Sequence, residues 1–144
     1  MEQQYTTLTK DINNVDNKDA IVYAYIKSRM NYKTSIADNV TEKEISEKLG
    51  ISLSTVKRSV ARLKKNKNLV DKVISNNVIA EGSYKTYNKY YVAKCNENFF
   101  YIYNSFFNDD MNIAKASERI NVKNFLLKIK AICKKETNKY ISES

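Results

Sequence analysis

Residues 41–63 read TEKEISEKLGISLSTVKRSVARL, and the folding of this stretch decides the rest of the chain. Thr41-Glu42-Lys43-Glu44 has the form of a capping box. In it the Thr41 hydroxyl accepts the backbone N–H of Glu44 and the Glu44 carboxylate reaches back to the N–H of Thr41. Val40 and Ile45 occupy the hydrophobic-staple positions on either side, and Ile45 and Leu49 point inward. Gly50 stands where a left-handed residue ends a helix without a Cβ penalty. After the tight turn Gly50-Ile51-Ser52, either Ser52 or Ser54 caps a second helix, in which Val56, Val60 and Leu63 recur at i, i+4 and i+7. The spacing therefore predicts two short helices joined by a tight turn. With about 100° per residue, the face opposite the stripe is made by Ser54, Arg58, Ala61 and Lys65, flanked by Thr55, Lys57 and Arg62.

Towards the N-terminus, residues 1–15 read as an extended start with Tyr5 and Leu8 as inward anchors. A helix capped by Asp16 or Asn17 follows, with Asp19 in its dipole-favoured first turn and Ile21, Val22, Tyr25, Ile26 and Met30 as its apolar face as far as Tyr32. Residues 31–39 are turn-rich, a connection with a short strand near Ile36. Towards the C-terminus, residues 69–74 and 87–92 are rich in β-formers and predict a hairpin closed by a long polar loop, 75–86, that contains Gly82. Phe99, Ile102, Tyr103 and Phe106 fit a helical stripe, and the same aromatic run suits a strand. Residues 112–135 are expected to be helical, with Phe125, Leu126, Ile129, Ile132 and Cys133 as the apolar stripe, and residues 136–144 to fray.

Composition narrows the class. The chain has 144 residues, 42% hydrophobic and 28% charged, which suits one globular unit and leaves little room for a multidomain enzyme. No apolar run approaches the roughly 20 residues that span a bilayer, and residues 1–6 do not begin a secretory signal, so a cytoplasmic protein without membrane contact is expected. Zero His and two Cys, Cys95 and Cys133, exclude imidazole triads and zinc sites, and the thiols read as free. Zero Pro and two Gly argue against Gly-rich phosphate loops, so no cofactor and no metal are expected. Asp109-Asp110 is the only adjacent carboxylate pair, and it reads as a cap or solvated turn rather than catalytic machinery. The net charge is +9, split as −1 over residues 1–50 and +10 over residues 51–144. A basic total invites an anionic partner, and the segregation places that partner on the later part of the chain.

The order of extended start, helix, helix, tight turn, helix and hairpin over residues 5–93 resembles the winged helix-turn-helix family of bacterial and phage DNA-binding domains. Ser46, Gly50, Ile51 and Val56 match that family's spacing, and Asn88-Lys89-Tyr90-Tyr91-Val92 is similar to its returning wing strand. Tyr5 to Leu8 and Lys18 to Tyr25 also resemble N-terminal domains of plasmid and phage replication initiators. One departure is Ser46 where the family usually has alanine, small enough for close packing but with a hydroxyl that needs a partner. The resemblance implies a mainly α fold with a small β-hairpin: a winged helix-turn-helix at 1–93, and a C-terminal helical extension at 94–144. That extension would serve packing or homodimerisation, or form a shortened second winged-helix unit.

The implied partner is double-stranded DNA. A helix fits the major groove, which is about 12 Å wide, and its N-terminal residues meet base edges there. Arg58 is the candidate base reader, because a guanidinium contacts guanine O6 and N7 bidentately, and Ser54, Thr55 and Lys57 lie beside it. Arg62 and Lys65 are candidate phosphate clamps, Lys85 a wing contact and Lys43 a contact from the preceding helix. A sequence-specific transcriptional regulator is the expected function. The alternatives are a replication-initiation or other plasmid or phage DNA-handling protein, and a winged helix used for protein interaction.

Overall fold

The computed structural model describes residues 5–15, 18–67, 69–80, 82–93 and 99–132, without the side chains of 13, 14, 77, 78, 80 and 83–85. Its elements in order are β1 (Tyr5–Thr9), α1 (Asp19–Ser28), β2 (Ile36–Val40), α2 (Glu42–Leu49), α3 (Leu53–Lys65), β3 (Val70–Ala80), β4 (Ser83–Val92), β5 (Phe99–Tyr103) and α4 (Ala116–Ile132). Single 3-10 turns cover Lys10–Asn14 and Asn104–Phe107. The architecture is α+β, richer in strand than a mainly α fold with one hairpin.

The two short helices form as the spacing predicts. Thr41 caps α2, its hydroxyl accepting the Glu44 N–H at 2.9 Å, and Val40 and Ile45 are fully buried. Gly50 closes α2 at φ 68°, ψ 36°. The capping box is only half made, however. The Glu44 carboxylate turns to the Tyr25 hydroxyl, which donates to it at 2.6 Å, and to the Arg29 guanidinium, partners that outbid a neutral backbone N–H.

α1 is buried from Asp19 to Lys27 and packs against α2, α3, α4 and β1, so it is the central post of the molecule. It ends at Ser28, short of Tyr32, which is exposed in the turn that follows. Its start also differs from expectation. Lys18 holds the N-cap position with no side-chain cap bond, while Asp16 and Asn17 lie outside the described residues. The N–H of Ile21 instead donates to Asn124 Oδ1 of α4 at 3.1 Å, so α1 is capped from the far end of the chain.

β2, β4 and β3 form an antiparallel sheet in that order, with β4 central. The β3–β4 hairpin is much longer than its apolar ends suggested. The polar residues expected in a loop are paired strand, from Ser75↔Asn88 out to Ala80↔Ser83, with Gly82 in the turn at φ 78°. A ribbon that projects from the core lacks a buried face, so it lacks the apolar alternation by which a strand is recognised.

β5 resolves the ambiguous aromatic run as a strand. It pairs antiparallel with β1, from Tyr5↔Tyr103 to Thr9↔Phe99. Leu8, Phe100 and Ile102 face inward, whereas Tyr5, an expected anchor, is 51% exposed on the outer face with Phe99, Tyr101 and Tyr103. Strand alternation puts Tyr5 and Leu8 on opposite faces, so only one of them can be inward. α4 then packs on α1 and the first 3-10 turn, where Lys128 Nζ donates to the Val15 carbonyl at 2.7 Å. The stripe it buries is Ile120, Lys123, Leu127 and Ala131. Phe125 and Ile132 are more than half exposed, Leu126 and Ile129 are only half-buried, and Cys133 lies outside the described residues. One hydrophobic core takes in Leu8, the α1 residues, Val56, Phe100, Ile120 and Leu127 alike.

Asp109 and Asp110 each accept a backbone N–H two residues on, from Met111 and Asn112 at 2.9 and 3.0 Å. Those bonds hold Met111 and Asn112 at positive φ, and the pair is a solvated turn.

Candidate nucleic-acid interface

α3 is set by its cap and its stripe. Ser52 is the N-cap, its Oγ accepting the Thr55 N–H at 3.2 Å, and the same hydroxyl lies 2.8 Å from Thr55 Oγ1 and 3.2 Å from Ser54 Oγ. Val56, Ser59, Val60 and Leu63 are buried against the body. The departure at Ser46 is also accommodated, because its hydroxyl donates to the Ile51 carbonyl at 2.6 Å and braces the turn between the two helices.

The opposite face carries Ser54, Lys57, Arg58, Ala61, Lys64 and Lys65, all exposed, and α3 contains no acidic residue. Arg58 Nη2 lies 3.5 Å from Thr55 Oγ1, which lays the guanidinium along the first turn of the helix. Lys57 leans towards Glu42 at 3.4 Å, an exposed pair that costs little to break. Among the described residues Arg58, Lys64 and Lys65 make no ion pair. Lys43 is exposed on α2.

Arg62 is placed differently from its neighbours. Its Nε and Nη2 donate to the Asp19 carboxylate at 2.7 and 2.9 Å, and Nη2 also reaches Ser59 Oγ at 3.3 Å. Asp19 is 3% exposed. The fork thus ties α3 to the first turn of α1 and gives a buried carboxylate its counter-charge. No sequence signal joins residues 43 positions apart, and Asp19 alone reads as a dipole-favoured acid.

The hairpin carries further cations. Lys72 Nζ stands 4.5 Å from the centre of the Tyr91 ring, and Lys89 lies 3.9 Å from Asp38. Lys85 sits opposite Val78 in β4, and its side chain lies outside the described residues. Beneath the hairpin, Tyr90 is fully buried and burial pushes its phenol up to about 12; the Asn88 amide, donating to it at 3.1 Å, acts in the opposite sense.

A central helix, a helix-turn-helix, and a hairpin whose returning strand is the middle of a three-stranded sheet make an arrangement consistent with a winged helix-turn-helix. Residues 38–66, from β2 to the end of α3, match the family described as winged helix-turn-helix DNA-binding. No curated protein and no solved structure matches the chain. Among the described residues no helix is long and apolar enough to cross a membrane, and no group of three or more acidic or cysteine side chains is placed to hold a metal ion.

Proposed function

We propose that the protein is a sequence-specific binder of double-stranded DNA, acting in transcriptional regulation, which sets the N-terminal half of α3 into the major groove. The observation that carries this reading is the solvent face of α3, with Lys57, Arg58, Lys64 and Lys65 exposed on a helix without an acid. In it Arg58 reads a base edge, Ser54 and Thr55 contact bases or phosphates, and Lys57 exchanges Glu42 for a phosphate. Lys65 holds the backbone, as do Lys43 from α2 and Lys85 from the hairpin. Arg62 drops out of the contact set because Asp19 occupies its fork. The reading includes a homodimer through residues 94–144, which would present two α3 helices to paired half-sites.

The test is equilibrium binding to duplex DNA over a range of salt concentrations. Each neutralised phosphate contributes about −0.9 to the slope of log K against log salt, so the α3 cations and the flanking lysines should give a slope of about −3 or steeper. A flat response between low and physiological salt would sink the electrostatic part of this reading.

A further inference from the structure

α4 is apolar on two opposite faces. Ile120, Leu127 and Ala131 pack on the body, with Asn124 and Lys128 bonded to Ile21 and Val15 along one flank. About half a turn away run Glu118, Val122, Phe125, Ile129 and Ile132, spaced four, three, four and three residues apart. Over two heptads that alternation matches the seam spacing of a two-helix coiled coil, with Leu127 at the position opposite the seam. Val122, Phe125 and Ile132 are 37%, 62% and 61% exposed. Beside the same helix lies the outer face of the β1–β5 ribbon, where Lys130 Nζ stands 5.9 Å from the Tyr101 ring and Tyr5 and Tyr103 are more than half exposed. Seven of the eleven large hydrophobic residues exposed among the described ones fall on these two elements, a concentration that marks an interface.

We infer that this seam is the surface on which a second copy of the chain docks, α4 against α4, antiparallel about a two-fold axis at Phe125. Three observations select that occupant. The heptad spacing calls for a helix, not an extended peptide or a flat surface. The seam is apolar on both sides of Phe125: when it is reversed about that residue, Val122 and Ile129 come within one residue of the same level and Glu118 comes level with Ile132. A parallel pairing would instead set Glu118 against Glu118 within the seam, like charges in contact. Residues 133–144, CKKETNKYISES, supply only Cys133, Tyr140 and Ile141 as apolar groups and make a poor cover for five seam positions. The seam lies on the side of α4 opposite the residues packed on the body, and α1 stands between α4 and α3 in packing on both.

This inference names the surface and orientation of the proposed dimer and does not depend on DNA binding, since its test is made on the protein alone. Sedimentation equilibrium of the full chain at tens of micromolar should return a mass near twice 16.7 kDa. Phe125→Glu, a change at an exposed position, should return the single mass with an unaltered thermal transition at matched subunit concentration, apart from the part due to dimer dissociation. With both native cysteines replaced by serine, Val122→Cys and Ile129→Cys chains should cross-link to each other and not to themselves. A monomeric parent overturns the inference, as does a dimer that Phe125→Glu leaves intact. Cross-linking of Val122→Cys to itself overturns the antiparallel arrangement. A parent that becomes dimeric only when residues 133–144 are removed assigns the seam to the chain's own C-terminus and overturns it too.

Discussion

Three cations on one helix, Arg58, Arg62 and Lys65, separate by what each touches. Arg58→Ala should lose about 1–3 kcal/mol on the preferred site and much less on random duplex, because a bidentate base contact exists only with the right base. Lys65→Ala should weaken both by a similar factor, since a phosphate is present in every sequence. Equal losses for Arg58→Ala on the two duplexes would demote it to a backbone contact. Arg62→Met should act on stability instead. It strands the buried Asp19 carboxylate, and breaking such a pair costs about 3 kcal/mol. Chemical denaturation measures that loss, while the salt slope of DNA binding should match the parent's; a shallower slope with unchanged stability would return Arg62 to the phosphate contacts.

At the scale of elements, α4 completes α1. Asn124 takes the place of a side-chain cap on α1, so Asn124→Ala should cost about 1 kcal/mol, in the range of a lost N-cap. Restoring an acceptor at residue 18, as in Lys18→Asp, should recover part of it; a neutral Asn124→Ala in denaturant titrations would show that the bond contributes nothing. The same helix shows what was legible in the chain and what was not. Thr41, Gly50 and Val56 act through neighbours within a turn or two, so α2, the tight turn and α3 are readable from local spacing. Long-range choices are not. Glu44 prefers Tyr25 and Arg29 to its own cap, and Asp19 finds Arg62. The hairpin's outer half lacks the alternation that only a buried face imposes. In α4 periodicity picked out the stripe with more large apolar residues, but the body packs on the other one. Of the site, Ser54, Lys57, Arg58 and Lys65 were readable as a face because helical geometry alone decides what opposes Val56 and Leu63.

At the scale of the whole molecule, two buried phenols tie stability to alkaline pH. Burial pushes Tyr25 and Tyr90 up to about 12 from an ordinary 10.0, with the Glu44 carboxylate adding to the shift at Tyr25. Between these values the unfolded chain releases protons that the folded one keeps, so the stabilisation is complete below about pH 10 and is lost as pH rises towards 12. Lys123 works in the opposite sense. Its burial lowers its pKa, so the cost of its charge is relieved as pH climbs towards the ordinary lysine value, and the net fall should steepen only above that. Urea titrations at stepped pH should show this fall, and Tyr90→Phe should make it shallower; an unchanged pH profile for Tyr90→Phe would remove Tyr90 from the account.

The pairing of β1 with β5 has a consequence in time. Thr6 meets Asn104, 98 positions later, while α2 and α3 pack chiefly on each other, on α1 and, for α3, on β3, all of them closer in sequence. During synthesis the elements on which α2 and α3 chiefly pack emerge close to them, but the strand made first must wait for almost the last to emerge. Contacts so distant in sequence close slowly because the loop entropy is lost before the pairing is gained. The nascent chain therefore passes through an interval in which β1 still presents an open edge, and a chain cut before residue 99 would keep that edge open.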